Sequence, residues 1–302
     1  HQSRTYAQEP PAGSLNIKES NKVKNIFTGL FRQLFDNGYK DDYIHLGGDE
    51  SKPKCILNAD SEEYLKELSD ALSSELQNGK PRKTILWEDS LSDLIQAYSV
   101  DDQQTNLSEP RYPVDNVVIE TWLGPHTKAI TNMGYDVIVS GVPLYLDVGR
   151  GTFFMDDPSW GGWASWFLIY NFDPLDGVKK ERKNQVLGSE VCLWGETIDE
   201  MNFETLLWPR AAAHAESTWN RIDESEINEG QKEVYDRKPM EDERNPANLT
   251  LFTYVLKRLR FLRTDMVNMG VRATPLAPVF CDGSPFCDQF SDNLNVKWPT
   301  DE

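Results

Sequence analysis

The sequence predicts an α/β fold, the C-terminal portion of a TIM-type (β/α)8 barrel with about five of its βα units. Three observations predict this class. Short apolar runs alternate with helical patterns along the chain, as in a parallel sheet built from βα units. The runs are almost continuously apolar, which indicates strands covered by helices. Polar and aromatic residues follow each run, and in such barrels the active residues lie just after the strands.

The predicted elements begin after a polar, Pro-containing stretch at residues 1–19. A helix is predicted near 20–37, where apolar residues recur at helical spacing. Further helices are predicted near 61–78, 91–98, 126–133, 202–218 and 247–269. Strands are predicted from short apolar runs at 43–46, 84–88, 116–121, 136–140 and 185–193. Two longer connections are predicted as loops, a polar one at 100–112 and an aromatic one at 148–185.

The number of predicted strands limits the domain organisation. Five parallel strands cannot close a barrel that needs eight. We therefore expect about three further βα units, supplied by a missing N-terminal segment or by a partner chain. Residues 1–270 are predicted to form the partial barrel domain and 271–302 a C-terminal tail. Cys281 and Cys287 bracket a short loop that contains Gly and Pro, and they are predicted to form a disulfide in that tail.

Composition excludes several classes of partner. The chain has 31 Lys and Arg against 49 Asp and Glu, a formal net charge of −18. Such a field repels phosphate groups, which disfavours nucleic acid and anionic membrane surfaces as partners. No apolar stretch reaches the about 18 residues that a membrane span requires. Sequons at Asn106 and Asn248, with the predicted disulfide, favour a secreted glycoprotein.

The clearest chemical signal is the motif His45-Leu-Gly-Gly-Asp-Glu. Two glycines allow a tight turn where the strand ends, so that Asp49 and Glu50 project into one cleft. Neighbouring carboxylates repel each other, which keeps one of them protonated near neutral pH. A protonated carboxyl is what a general acid needs. Taken alone, the motif also fits a solvated turn whose acidic residues cap the next helix.

Residues after the other strands suit a sugar pocket. Their aromatic and carboxylate side chains provide walls for a sugar ring and acceptors for its hydroxyl groups, and a phenol adds a donor. The candidates are Trp87, Trp122, Tyr145, Asp147, Trp194 and Glu196. Each Trp taken alone fits a place in the core equally well.

His45 is predicted to support the carboxylate pair rather than to bind a metal ion. A metal-dependent hydrolase that uses His45, Asp49 and Glu50 is the weakest alternative, because no His, Cys and Asp cluster has the spacing of metal ligands. Two further residues, Arg210 and Glu216, lie on one predicted helix and are expected to form a buried ion pair.

Several motifs, in one order, resemble those of glycoside hydrolase family 20, the β-N-acetylhexosaminidases. They are His45-Leu-Gly-Gly-Asp-Glu, Tyr145-Leu-Asp, Cys192-Leu-Trp-Gly-Glu and Leu207-Trp-Pro-Arg-Ala. The resemblance covers roughly residues 8–270. The opening Glu9-Pro-Pro-Ala-Gly-Ser-Leu-Asn is most similar to secreted fungal members.

The resemblance implies a role for each candidate residue. Glu50 matches the general acid/base, Asp49 the residue that holds the acetamido N–H, and Tyr145 the donor to the acetamido oxygen. The substrate-binding positions are the walls Trp87, Trp122 and Trp194, the hydroxyl-binding Asp147 and Glu196, and the supporting His45. Family 20 retains configuration because the acetamido oxygen of the substrate attacks the sugar and forms an oxazolinium intermediate. No cofactor and no metal ion is implied.

The resemblance also implies a substrate and a place of action. We expect hydrolysis of terminal β-linked N-acetylglucosamine or N-acetylgalactosamine from oligosaccharides, chitin fragments among them, outside the cell or in a lysosome or vacuole. A homodimer is an option. Members carry an Arg, an Asp and a His on their first three strands, without counterpart in these 302 residues. Cys55 is expected to pair with a cysteine of the missing segment. The alternative is a non-catalytic carbohydrate-binding subunit or a processed fragment of such an enzyme.

Overall fold

The computed structural model describes residues 20–49, 58–74, 76–77, 80–100, 110–149, 163–219 and 246–276. Within these residues five strands form a parallel sheet in the order β1-β4-β5-β6-β7. The strands are β1 Tyr43–His45, β4 Lys83–Trp87, β5 Val117–Thr121, β6 Asp136–Val139 and β7 Val186–Ser189. Two short strands, β2 Leu76–Gln77 and β3 Lys80–Pro81, form a separate antiparallel pair.

Eight helices lie in the described residues. They are α1 Ser20–Asp36, α2 Asn58–Ser73, α3 Ser92–Val100, α4 Thr127–Asn132, α5 Trp166–Asn171, α6 Phe203–Leu207, α7 Arg210–Trp219 and α8 Pro246–Asn268. Four of them, α2 to α5, connect consecutive strands of the sheet. Strands that follow each other in this order are neighbours in the sheet, which is the arrangement of successive βα units. The predicted α/β class with about five parallel βα units is confirmed.

Four predicted elements have other bounds. The strand predicted at 185–193 is shorter, since β7 spans Val186–Ser189. The helix predicted to 78 ends at Ser73, and β2 and β3 follow it; Asn78-Gly79, the sequence between them, is typical of two-residue hairpin loops. The predicted loop 148–185 contains α5, whose first turn is capped by the Ser165 hydroxyl, an acceptor from the Leu168 N–H at 3.2 Å. The predicted helix 202–218 is divided at Pro209, which has no N–H to donate.

The chain divides into two compact units. The first comprises residues 1–141 and 174–189, and it contains the parallel sheet. Its α1 and α2 pack with β1 through Val23, Ile44, Tyr64, Leu68 and Leu72. The second comprises residues 142–173 and 190–302. Its core joins α5, α7 and α8 through Trp166, Phe167, Tyr170, Ala212, Ala213, Val255, Leu256 and Leu259.

Helix α1 is apolar on two faces. Phe27, Phe31 and Phe35 pack against the core of the first unit. Ile26, Leu30 and Leu34 repeat at the same four-residue interval on another face and are 51%, 49% and 41% exposed. A solvated helix face is normally polar, so this exposed stripe is typical of a surface that another element covers.

The predictions about cysteine pairing, the sequon at Asn106 and the domain boundary stay predictions. Cys55, Cys281 and Cys287 lie outside the described residues, as does Asn106. The predicted domain boundary near 270 is also untested. Asn248, the second sequon, falls in the first turn of α8. No helix in the described part of the chain is long and apolar enough to cross a membrane.

Candidate active site

The Gly-Gly-Asp-Glu motif lies where β1 ends. Backbone pairing with β4 continues past the strand, because the Leu46 N–H donates to the Ile85 carbonyl at 2.9 Å and the Trp87 N–H to the Gly47 carbonyl at 3.0 Å. Gly47 and Gly48 then adopt φ values of +73° and +96°, a region that glycine enters at little cost. The predicted tight turn is therefore present. Asp49 follows it with an exposed side chain, and Glu50 lies outside the described residues.

His45 connects this turn to a buried carboxylate. Its Nε2 lies 2.9 Å from Oε2 of Glu120, whose side chain is 1% exposed, and its Nδ1 accepts the Gly47 N–H at 2.9 Å. Because Nδ1 is an acceptor, these hydrogen bonds assign the ring proton to Nε2, which donates to Glu120. The imidazole centroid also lies 5.2 Å from that of Trp87. His45 therefore holds the turn in place and contacts a predicted pocket wall.

A second buried carboxylate, Glu88, organises the loop after β5. Its Oε1 accepts the backbone N–H groups of Trp122, at 2.6 Å, and of Leu123. Its Oε2 lies 2.6 Å from Nδ1 of His126. The hydrogen bond to Glu88 raises the pKa of His126 above its ordinary value; partial burial opposes that rise, and the charge of Glu88 adds to it. Three donors from one short loop thus converge on one carboxylate.

Trp122 is held at its side chain as well as at its backbone. The indole Nε1–H donates to Oδ2 of Asp89 at 2.6 Å. On the opposite side of the backbone, a Cβ atom at Gly141 would lie 3.1 Å from the Trp122 carbonyl oxygen. Glycine at 141 therefore permits a close approach of the chain after β6 to Trp122.

Tyr145 and Trp194 lie together in the second unit. Residues 144–146 pair with Cys192 in parallel, since the Cys192 N–H donates to the Leu144 carbonyl at 2.9 Å and the Leu146 N–H donates to the Cys192 carbonyl at 2.8 Å. The rings of Tyr145 and Trp194 meet edge to face, with centroids 6.2 Å apart. Tyr145 is 4% exposed and Trp194 38%, so the pair has one buried and one accessible member.

Arg210 fixes the backbone of the Tyr145-Leu-Asp motif. Its buried guanidinium donates to the Leu146 carbonyl, which lies between Tyr145 and Asp147, and to the Leu206 carbonyl at 2.6 Å. Asp147 itself is half-buried. The expected pair between Arg210 and Glu216 is wrong.

Glu216 has another partner on a neighbouring helix. Its Oε1 lies 2.6 Å from Nη2 of Arg258 on α8, while the Arg210 guanidinium turns to backbone carbonyls. The guanidinium carbon of Arg210 also stacks 3.6 Å from the ring centroid of Trp163.

Comparison with known proteins decides the family. The family model for "Glycosyl hydrolase family 20, catalytic domain" matches residues 1–222, well over half of the chain. The chain belongs to glycosyl hydrolase family 20. The predicted resemblance is confirmed.

Two fungal relatives and one bacterial structure illustrate the likeness. A probable β-hexosaminidase of Arthroderma benhamiae is 30% identical over 95% of this chain and 47% of its own length. β-Hexosaminidase 1 of Coccidioides posadasii is 28% identical, over 96% of this chain and 50% of its own. The chain therefore spans about half the length of the curated relatives it matches.

The structural neighbour supports the predicted barrel class. A crystal structure of the β-N-acetylhexosaminidase from Bacteroides fragilis covers 70% of this chain with a TM-score of 0.50 and 20% identity. This chain covers 43% of that protein. A partial (β/α)8 barrel of the family 20 type is the fold that the five parallel βα units represent.

The family 20 candidates fall into the two units. His45, Asp49, Trp87 and Trp122 lie in the first, where His45 contacts Trp87. The second contains Tyr145, Asp147, Trp194 and Glu196, where Tyr145 contacts Trp194. Glu196 lies in a 3₁₀ turn, Gly195–Thr197, and its side chain is outside the described set.

Sequence reasoning missed four residues that hold the candidates in place. They are Glu88, Asp89, Glu120 and His126. The signal was available in part, because Trp87-Glu-Asp and Glu120-Thr-Trp each follow a predicted strand and contain carboxylates. The position of these carboxylates after the strands indicates a role at the site. The sequence spacing does not tell which of the carboxylates turns inward.

No group of three or more His, Cys, Asp or Glu residues in the described part of the chain is arranged to hold a metal ion. Glu50 is not among the described residues. The candidate site is thus described by carboxylates, imidazoles and aromatic rings.

Proposed function

We propose that this protein is a retaining exo-β-N-acetylhexosaminidase, which hydrolyses terminal β-linked N-acetylglucosamine or N-acetylgalactosamine. The observation that carries the proposal is the family 20 catalytic-domain match over residues 1–222, which includes the His45-Leu-Gly-Gly-Asp-Glu motif at the end of β1. The curated relatives named β-hexosaminidase support the same activity. The proposed activity is that of the complete protein. The chain spans about half the length of those relatives.

Glu50 is the proposed general acid. It protonates the leaving oxygen of the glycosidic bond, and in the second step it removes a proton from the attacking water. Support for that role comes from the sequence, in which Glu50 closely follows β1 and the turn at Gly47 and Gly48. Asp49 adds a neighbouring negative charge, which favours the protonated form of Glu50.

The nucleophile in this proposal is the acetamido oxygen of the substrate. It attacks C1 as the leaving oxygen departs with the proton of Glu50, and a cyclic oxazolinium forms. Water then opens the ring and restores the acetamide, so that the configuration at C1 is retained. Asp49 accepts the acetamido N–H and Tyr145 donates its phenol proton to the acetamido oxygen. Each such hydrogen bond contributes about 3 kcal/mol to transition-state stabilisation.

The substrate sugar is bound by aromatic and carboxylate side chains. Trp87, Trp122 and Trp194 form walls that favour the bent acetamide over an extended one. Asp147 and Glu196 accept hydrogen bonds from the outer hydroxyl groups of the terminal sugar. Oligosaccharides that end in an N-acetylhexosamine, chitin fragments among them, are the proposed substrates.

Further βα units complete the proposed enzyme. The exposed stripe Ile26, Leu30 and Leu34 on α1 and the edge position of β1 in the described sheet each support an additional packed element. We propose that these units lie on an N-terminal segment or a partner chain and contribute the Arg, Asp and His of the family. The proposed location is secreted, or lysosomal or vacuolar, and a homodimer remains part of the proposal.

The test is hydrolysis of nitrophenyl glycosides by the complete protein. We expect turnover of nitrophenyl N-acetyl-β-glucosaminide or galactosaminide, and none of the nitrophenyl β-glucoside, which lacks the acetamide. Glu50→Gln lowers kcat by about 1,000-fold. Asp70→Asn is a matched control, since this exposed carboxylate pairs with Lys66 on α2. Equal rates for Glu50→Gln and wild type would refute the assignment.

A non-catalytic carbohydrate-binding subunit is the second candidate. The described sheet has five strands rather than eight, which favours it. Such a subunit binds N-acetylhexosamine analogues without turnover. Native mass measurement, combined with the nitrophenyl assay on the same particle, separates the two. An assembly with three further βα units and turnover supports the enzyme; binding without turnover in that assembly supports the subunit.

A further inference from the structure

The short loop at residues 122–126 folds around the carboxylate of Glu88. Two consecutive backbone N–H groups, of Trp122 and Leu123, donate to Oε1, and the Nδ1–H of His126 donates to Oε2. We propose that Glu88 is the positioning residue of Trp122, so that the geometry of the Trp122 wall depends on this hydrogen-bonded carboxylate. The inference rests on the proposed function, in which Trp122 contacts the acetamido group.

Because Glu88 is buried, its carboxylate and the loop at 122–126 depend on each other. Glu88 is 0% exposed, and a carboxylate without water needs donors from the protein. The loop supplies three of them only in the conformation that points the N–H groups of Trp122 and Leu123 toward β4. Any other conformation leaves the buried carboxylate with fewer donors, which is unfavourable because a buried acceptor without a donor is not solvated. Glu88 therefore selects one loop conformation.

Trp122 is fixed at three places by its surroundings. Glu88 holds its N–H, Asp89 accepts the indole Nε1–H at 2.6 Å, and Gly141 allows the chain after β6 to pack on its carbonyl. Glu88 and Asp89 are adjacent residues directly after Trp87, itself a proposed wall. One dipeptide at the end of β4 thus connects two walls of the proposed pocket.

The consequence for catalysis is a rate effect. A wall that holds the acetamide bent acts on the geometry of attack, because the reacting atoms need placement within a fraction of an ångström. A displaced Trp122 lowers the fraction of bound substrate in that geometry. The expected kinetic signature is a fall in kcat with a smaller change in KM.

The sharpest variant is Glu88→Gln. The Gln Oε1 replaces the acceptor for Trp122 and Leu123, and the Gln amide N–H faces His126. Neutral His126 accommodates it by moving its proton to Nε2 and accepting at Nδ1. A protonated His126 has no acceptor to offer and opposes the amide. We therefore expect the variant to work when His126 is neutral and to fail when it is charged.

The experiment measures kcat and KM for a nitrophenyl N-acetyl-β-hexosaminide across pH, with each variant expressed relative to wild type. Glu88→Ala lowers kcat by about 100-fold at every pH. Glu88→Gln stays within about threefold of wild type near pH 8 and falls by about tenfold or more at acidic pH, below the lowered pKa of its His126. Asp93→Asn, an exposed carboxylate in α3 that pairs with Arg111, keeps wild-type kinetics.

Two kinetic results would overturn the proposal. One is Glu88→Ala with the kcat of wild type. The other is a Glu88→Gln loss equal to that of Glu88→Ala at both pH values, since a structural defect alone has no dependence on the His126 proton. Unfolding temperatures of all variants accompany the kinetics.

Nuclear magnetic resonance separates this inference from the proposed function. The chain has 4 His, so the His126 signal is assignable by substitution, and its pKa is expected to fall in Glu88→Gln. The Trp122 indole N–H signal reports the bond to Asp89. If the wild type hydrolyses no glycoside, the proposed function fails, whereas an unchanged Trp122 signal in Glu88→Ala refutes the positioning role.

Discussion

Nε2 of His45 lies 2.9 Å from Oε2 of Glu120, and the two residues belong to strands that are not neighbours. β4 lies between β1 and β5, so the bond crosses the end of the intervening strand. His45 continues the connection, because its Nδ1 accepts the N–H of Gly47. Glu120, His45 and the turn before Asp49 thus form one hydrogen-bonded chain.

Substitution of Glu120 tests that chain. Glu120→Gln retains an oxygen that accepts the Nε2–H of His45. Glu120→Ala removes the acceptor and leaves that N–H without its partner. We expect Glu120→Ala to lower the free energy of unfolding by about 1–3 kcal/mol and Glu120→Gln by less. Nitrogen chemical shifts of His45 report its tautomer, with the proton on Nε2 in wild type. A proton on Nδ1 in wild type would contradict the assignment.

Asp136→Asn is the control for the Glu120 variants. Asp136 lies on the neighbouring strand β6 and pairs with Lys83 at 3.0 Å, with both side chains partly exposed. We expect a change of less than about 1 kcal/mol in the free energy of unfolding, as for other exposed pairs. A loss as large as that of Glu120→Ala would remove the distinction between buried and exposed carboxylates.

Alanine at position 48 destabilises the protein for two reasons. The backbone has φ of +96°, and a new Cβ would lie 3.1 Å from Cδ1 of Leu65. We expect a loss of about 1–3 kcal/mol in the free energy of unfolding. Gly29→Ala is the matched control, because Gly29 lies within α1 with open space around its Cβ position. That change is expected to stabilise by about 0.5–1 kcal/mol. Urea denaturation measures both.

The pair of Glu88 and His126 gives stability that depends on pH. The pKa of folded His126 is raised by its hydrogen bond to Glu88. The folded state therefore binds the proton more tightly than the unfolded state does. This contribution is fully present below the unfolded pKa of about 6.5 and is lost as pH rises through the raised folded value. We expect the stability difference between wild type and His126→Gln to be larger near pH 5.5 than near pH 9. A pH-independent difference would contradict it.

Asp93 shows the opposite dependence. Hydrogen bonds from Arg111 lower the pKa of Asp93 below its ordinary value. Its contribution is present above the unfolded pKa of about 3.9 and is lost as pH falls through the lowered folded value. Wild type and Asp93→Asn should therefore converge in stability in strong acid. Because Asp93 is largely exposed, the whole effect is small, and 1 M salt reduces it further.

The exposed stripe of α1 yields a prediction about assembly. Leu30→Glu introduces a charge where the side chain is 49% exposed, so the described unit is expected to keep its stability. Covering that charge with another βα unit leaves it buried without a partner, which weakens the assembly. Sedimentation or native mass measurement detects the loss. Gln33→Glu, an exposed position on α1 outside the stripe, serves as control. Unchanged assembly for Leu30→Glu would refute this docking face.

Much of the sheet was predictable because its strands are short apolar runs between helical patterns. The bounds of the helices were less predictable. Pro209 divides a predicted helix, and Ser165 caps a helix inside a predicted loop; both signals are single residues that the apolar pattern outweighs.

The supporting side chains could not be identified from the sequence, and the reason is physical. Up to Leu86, inward and outward residues alternate along β4, but Trp87 and Glu88 are both buried, because a 3₁₀ turn, Glu88–Leu91, replaces the extended backbone. Spacing therefore placed carboxylates at the strand end but did not assign an inward direction to Glu88. The contact between His45 and Glu120 likewise depends on the lateral order of strands.

Gly141 limits how this protein can be redesigned. Any side chain there would press on the backbone of Trp122, since the nearest carbonyl oxygen is only 3.1 Å from the added carbon. We therefore expect variants at position 141 to be less stable than variants at exposed positions of the same loop. Leu123, the next residue after Trp122, is 52% exposed and offers the adjacent place where size and polarity can be varied.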